Sequence, residues 1–301
     1  MTAFLTLLKR EWLEARTPFL WFPLGTLAVL VGVSLLAVLF WGFGEVNVYI
    51  QSEGNAPNYF FINQWSERDW LLRMRSFRSL VAAPFYVVYL AAAAFMLLGA
   101  LYDERRDRAV LFWKSLPVTD LVTVLSKLVL AAWIAPAVVI VCVVAAQVFL
   151  LAVFSVYLAS SELGDPWLLW QHAGLMGGAA HLVLGFLIQG LWVLPIAGYL
   201  LLVSVAAGRQ PLLWALLLPI PVAIVEYVIF RTRLLADFIA RHTEPAALPN
   251  FTADDERIMP VPYTAADQLT LLLDPDLWLG VLIGAALLYA AARLRAYRNE
   301  L

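Results

Sequence analysis

The chain has 301 residues, 63% hydrophobic and 14% charged, with a mean hydropathy of +0.82 and a formal charge of -2. Soluble domains hold roughly half apolar and a quarter charged residues, so this balance excludes an ordinary soluble enzyme; the net charge says little until it is divided by side of the membrane, and no nucleic-acid partner is expected. The apolar residues gather in runs of the ~20 residues that a helix needs to cross a bilayer.

The first element is an amphipathic helix over Thr2–Arg16. Phe4, Leu5, Leu8, Trp12 and Ala15 share one face, with Lys9, Arg10, Glu14 and Arg16 off it. Met1–Arg16 is too charged for the apolar stretch of a cleavable signal. Thr17-Pro18 predicts a bend, so residues 1–17 read as an elbow on the membrane surface that feeds a first span over Phe19–Trp41. An external loop, 42–79, follows. At its end Trp70, Met74, Phe77 and Val81 recur at spacings of four, three and four, which predicts a short interfacial helix over Trp65–Ser79.

The second span covers Leu80–Leu101. The connection after it, 102–120, is unusual. Asp103, Glu104, Arg105, Arg106, Asp107 and Arg108 precede the apolar run Val110–Trp113 and a turn at Leu116-Pro117. A free aqueous loop has little reason to hold such an apolar run, so the segment reads as a docking surface for another protein; the plainer reading is a basic topology signal. The third span, Leu121–Tyr157, is over-long, and its Ser126-Lys127 end is expected to project into the cytosol. Asp120 is placed to cap it.

The fourth segment, Gln171–Ala206, is also over-long. Gly185, Gly190, Pro195 and Gly198 point to one interrupted helix or a re-entrant pair. A fifth span runs over Leu212–Phe230 and a sixth over Leu277–Ala292. Between them, 231–276 reads as an ordered external loop, with short helices and the acidic run Asp254-Asp255-Glu256. Sorting the basic residues by side gives 12 inside against 8 outside, the 12 in shorter segments. The positive-inside rule then sets both termini and the 102–120 loop in the cytoplasm.

Several chemistries lack their residues. The lysines are Lys9, Lys114 and Lys127, and none follows a phosphate-loop glycine run. Cys142 is the single cysteine, so no intrachain disulfide is possible. His172 and His181 are out of phase on one helix, and no metal site is expected. Glu226 is the exceptional carboxylate within a span, and either serves function or pairs with Arg231 at the interface. Gln147 and Gln189 read as helix-joining polar residues.

Two segments resemble a known family. Lys9, Arg10, Glu11 and Trp12, within Leu7–Arg16, look like the opening elbow of ABC-2 type transporter permeases. Tyr102–Arg108 followed by Leu116-Pro117-Val118-Thr119 is similar to that family's cytosolic coupling loop. The resemblance implies an all-α polytopic fold of six transmembrane helices with an amphipathic elbow, similar to type V exporters. It implies one transmembrane domain over 1–301, in a bacterial inner membrane. Asp103, Glu104, Arg105, Arg106, Asp107, Arg108, Leu116 and Pro117 would contact an ATPase. This chain would hold no cofactor; two partner ATPase subunits would bind ATP and Mg, and a second permease copy, identical or related, would complete the transporter. Membrane lipids would surround it. A six-span scaffold or receptor subunit that docks a different cytosolic protein is the alternative.

Overall fold

The computed structural model describes residues 2–41, 65–107, 118–160, 164–243, 251–254, 257–260 and 265–298. Among them, six helical segments are long and apolar enough to cross a membrane: Phe4–Phe40, Glu67–Arg106, Asp120–Ser160, Pro166–Trp192, Pro211–Phe230 and Pro275–Tyr297. The protein has the architecture of a multi-pass, helical membrane protein. Its one described β element is an antiparallel ribbon of β1 (Phe251–Asp254) and β2 (Arg257–Pro260) in the connection before the last span.

Helix α1, Thr2–Trp41, is continuous, with Pro18 and Pro23 inside it. The chain does not leave the helix at Thr17-Pro18, so the segment expected as a separate elbow and the first span are one α-helix. The reason is packing. Leu7, Glu11, Ala15, Phe19 and Pro23 are buried at intervals of four residues, a single stripe that runs past Pro18. A proline inside a helix costs ~3 kcal/mol or more, and burial of this stripe offsets it.

Helix α2, Glu67–Ala100, begins at a capping box in which the Ser66 hydroxyl accepts from Asp69 N and the Asp69 carboxylate accepts from Ser66 N. The predicted face is real: Trp70, Met74 and Val81 are buried and Phe77 is half-buried. The separate interfacial helix is not, because nothing breaks the chain after Ser79 and the buried stripe continues through Phe85 and Tyr89. A short helix, α3 (Tyr102–Arg106), follows across Leu101.

The third segment is α4 (Asp120–Val129), a wide π-type turn (Leu130–Ile134) and α5 (Ala135–Ser160). Pro136 cannot donate and would crowd the carbonyl of Ala132 in a regular helix; widening the preceding turn relieves this. The Ala131 carbonyl accepts from the Tyr89 hydroxyl at 2.8 Å. Thr119, rather than Asp120, caps α4, its hydroxyl accepting from Val122 N.

After α6 (Pro166–His172), the fourth segment splits into α7 (Leu175–Trp192) and α8 (Leu194–Ala206) at Val193. The two make one broken crossing and not a re-entrant pair. Descending along α2, Arg78 donates to Ala173 O just before α7, Phe186 meets Tyr86 and Tyr89, and Ser204 near the end of α8 accepts from Leu101 N. Helices α9 (Pro211–Leu217) and α10 (Pro219–Phe230) form the fifth segment, and α10 buries no residue. The connection between the fifth and the last segment contains α11 (Leu234–Thr243), the ribbon, α12 (Ala265–Thr270) and a 3-10 turn (Leu271–Leu273). Helix α13, Pro275–Tyr297, closes the bundle. It meets α8 through small residues: a Cβ on Gly198 would lie 2.9 Å from Gly284 O. Such close crossings are the usual basis of helix association in a bilayer.

Candidate functional site: a buried charge lattice

The sites of interest lie where α1, α3, α4 and α13 converge. Lys127 on α4 is 2% exposed. Its Nζ is 2.8 Å from Glu11 Oε2 on α1 and 2.9 Å from Glu104 Oε1 on α3. Arg295 on α13 reaches Glu104 Oε2 at 3.1 Å and also pairs with Asp120. Arg10 lies 3.5 Å from Glu11 and holds Glu14 at 2.7 Å. Arg10, Lys127 and Arg295 thus face Glu11, Glu14, Glu104 and Asp120, three cations against four carboxylates. Isolated charges in so dry a place would be expensive; paired and hydrogen-bonded, they persist.

The local fold explains why these side chains meet. Glu11 occupies the buried stripe of α1 between Leu7 and Ala15. Lys127 is one α-helical turn after Thr123 and Val124, both buried, on the inward face of α4. Leu101, at φ -101° and ψ -25°, loosens the helix by only one turn, and α3 continues beyond it with Glu104 and Arg105 on its buried side. Lys127 therefore does not project into solvent as its sequence position suggested: two carboxylates from other helices hold its ammonium inside.

Beside this lattice, Arg105 clasps the end of α8. Its Nη2 donates to Ser204 O and Ala207 O, both at 2.9 Å, while Arg298 donates to Ala206 O. The Ser204 hydroxyl accepts from Leu101 N and Tyr102 N, each at 3.0 Å. Cations at a helix C-terminus satisfy carbonyls that have no partner in the helix.

The residues singled out in the sequence thus fall into different groups. Glu104 and Arg105 are committed to the interior and are not free to touch another protein. Arg106 and Asp107 are exposed and Asp103 half-buried, and the three pair among themselves, Arg106 with Asp103 at 3.1 Å and with Asp107 at 3.0 Å. Arg108, Leu116 and Pro117, with Val110–Trp113, lie outside the described residues. Of the elbow set, Lys9 is exposed, Arg10 half-buried, Glu11 buried, and Trp12 packs partly against the core and not wholly towards lipid.

Glu226 does not pair with Arg231 but is engaged by backbone and hydroxyl donors. Its two oxygens accept from Thr232 Oγ1, Leu234 N and Leu235 N, so it caps α11 from the end of α10. Sequence reasoning weighed a functional carboxylate against pairing with Arg231 and missed that a carboxylate suits the free amides of a helix start eight residues on. Arg231 turns the chain there in a left-handed conformation, φ 56°.

Deeper in the bundle, Tyr86, Tyr89 and Phe186 form an aromatic cluster, and the Tyr86 hydroxyl is buried without a hydrogen bond. Gln147 donates to Arg78 O at 3.3 Å and so joins α5 to α2. Among the described residues, no three His, Cys, Asp or Glu side chains gather as metal ligands. Cys142 is buried. The lattice offers no activated nucleophile or open acid–base pair; what it offers is a rigid tie among four helices. Comparison of the chain with protein-family models, with curated proteins and with solved structures finds no match.

Proposed function

We propose that this chain is the membrane-spanning permease subunit of an ATP-binding cassette exporter, driven by ATP that separate partner subunits bind with Mg and hydrolyse. The observation that carries the reading is the charge lattice. Helix α3 follows the second span directly, and its Glu104 is bonded to Lys127 on α4 and Arg295 on α13, with Glu11 of α1 on the same ammonium. A displacement of α3 is therefore delivered to three spans at once, and Arg105 passes it to the end of α8. Packed elements tied by buried ion pairs move as bodies, not by gradual deformation.

In this reading Asp103, Arg106 and Asp107 form the outward face that meets the ATPase, together with Arg108, Leu116 and Pro117 of the adjoining segment. Exposed charges of this kind steer association and set its salt dependence more than they add affinity. Substrate would cross between this chain and a second permease copy, since six spans make half of such a transporter. The test is purification of the tagged chain from its own membranes. A phosphate-loop ATPase in stoichiometric amount supports the reading. A stable partner of another kind supports a membrane scaffold instead.

A further inference from the structure

Arg75 and Arg78 stand one turn apart on the same side of α2. Both are half-buried. Arg75 Nη1 is buried and makes no hydrogen bond. Arg78 spends one donor on Ala173 O, at 2.7 Å, out of the five N–H groups that a guanidinium carries. Among the described residues, no carboxylate pairs with either. The acids at the head of α2 are engaged elsewhere, Asp69 by Ser66 and Glu67 beside His172 at 3.5 Å. At the charge lattice each buried cation meets a carboxylate; here two cations stand together without one, a costly arrangement where water is scarce.

The neighbouring helix adds charge of the same sign. Arg78 lies along the first turn of α7: a Cβ on Gly178 would be 2.7 Å from its Cδ, and a Cβ on Gly174 would be 3.3 Å from its Nη1. The first hydrogen bond of α7 runs from Gly178 N to Gly174 O. The amides of Leu175, Met176 and Gly177 come before it and have no helical carbonyl to meet. A helix start carries partial positive charge and favours an anion, not a guanidinium. Gly174 and Gly177 are exposed, and a Cβ on Gly177 would touch nothing within 4 Å, so the approach is open. From α5, Gln147 Nε2 donates to Arg78 O at 3.3 Å and fixes the backbone that presents the pair.

Depth limits the occupant. From Arg78 to the end of α2 at Ala100 the helix rises ~33 Å, a little more than the ~30 Å hydrocarbon core of a bilayer. With the charge lattice at one membrane surface, the arginine pair lies at headgroup depth on the other. We propose that Arg75 and Arg78, against the start of α7, form a binding site for a phosphate group. A phosphate brings negative charge and several acceptor oxygens, which suit two guanidinium forks. The arginines carry the site, and the free amides of α7 add to it. The assignment does not depend on the transport reading.

Two measurements on the full chain in neutral detergent test it and separate a lipid phosphate from a soluble one. Native mass spectrometry compares retention of phosphatidylglycerol with that of a diacylglycerol of matched chains, which lacks the phosphate. The unfolding midpoint is read in inorganic phosphate and in chloride at equal ionic strength. Wild type is expected to retain phosphatidylglycerol over diacylglycerol by about tenfold or more, the size of one charge-assisted hydrogen bond. Arg75→Gln should bring the two lipids within about twofold, and Arg68→Gln, at an exposed position on the first turn of α2, should leave the preference intact. A midpoint raised by inorganic phosphate in wild type but not in Arg75→Gln, without a lipid preference, would assign the same site to a soluble phosphate compound. Because Arg75 Nη1 has no partner within the chain, Arg75→Gln should not lower the midpoint in chloride. A lowered midpoint there, a response equally lost in Arg68→Gln, or the absence of any Arg75-dependent response to either probe would overturn the assignment.

Discussion

Removing the ammonium of Lys127 would leave Glu11 and Glu104 facing each other in a dry interior. Breaking a buried pair from one side costs ~3–5 kcal/mol, because the surviving charge has lost its compensation. Lys127→Met should therefore lower the thermal unfolding midpoint of the purified chain sharply, and adding Glu11→Gln should recover part of the loss. Arg105 and Arg106 are adjacent in sequence and opposite in role. Arg105→Ala strips two carbonyls at the end of α8 of a charged donor, worth ~1.5–3 kcal/mol, and should register in the same unfolding measurement. Arg106→Ala, on the exposed face, should leave the midpoint where it was. If the two variants melt alike, the inward and outward division of α3 is wrong. The sequence marked both arginines as one charged patch, since composition carries no sign of which side of a five-residue helix meets the core. Lys127 was misread for a related reason: a lone lysine at the end of an apolar run looks like a snorkelling side chain until partners from α1 and α3 arrive. The hint was present in Glu11, set at four-residue spacing between Leu7 and Ala15 on a stripe that is otherwise apolar.

Helices were legible where hydrophobic runs set their length, and less so where tertiary packing overrode a local signal. The six spans follow from apolar runs that no loop could solvate. The breaks do not. Thr17-Pro18 carries a break signal, yet the helix runs on through it along the continuous stripe of α1, and the interfacial helix predicted before Ser79 merges into α2 because the same face stays buried. The interruption of the fourth segment was visible as Gly190, Pro195 and Gly198, yet its form depends on neighbours. Gly190 leaves room for the Trp133 ring, which would lie 2.4 Å from a Cβ there, and Gly198 and Gly284 let α8 and α13 touch. A Gly284→Val side chain would strike Leu194, whose backbone carbonyl carbon lies 2.8 Å from the Cβ position. Overpacking of this kind costs ~1–3 kcal/mol or more. The expected result is a destabilised chain with normal helical content by circular dichroism but an earlier loss of tertiary structure on heating. Undiminished stability would mean that α8 and α13 are not in close contact. Tyr89→Phe should be milder, about 1 kcal/mol, since single polar contacts inside membrane bundles are modest.

At the scale of the whole molecule, the helices converge on one end where charges are paired, and that end is expected in the cytoplasm. Accessibility of cysteines in sealed cells checks the side. Asp107→Cys is suited to this because Asp107 is exposed, whereas a cysteine at Arg105 would be shielded by α8. With Cys142 replaced, an Asp107→Cys chain should resist an impermeant external reagent and react after permeabilisation; labelling from outside would invert the topology. The measurement that bears most directly on the proposed function is co-purification of the chain with its cytosolic partner. Wild type is compared with Asp103→Lys/Arg106→Glu/Asp107→Lys, a reversal at two exposed positions and one half-buried one. The wild-type chain is expected to bring down a phosphate-loop ATPase, and the reversed chain to insert and fold normally while losing about tenfold or more of that partner. Equal recovery of the ATPase by both chains would remove α3 from the interface, and a chain that never carries an ATPase would contradict its assignment as an exporter subunit.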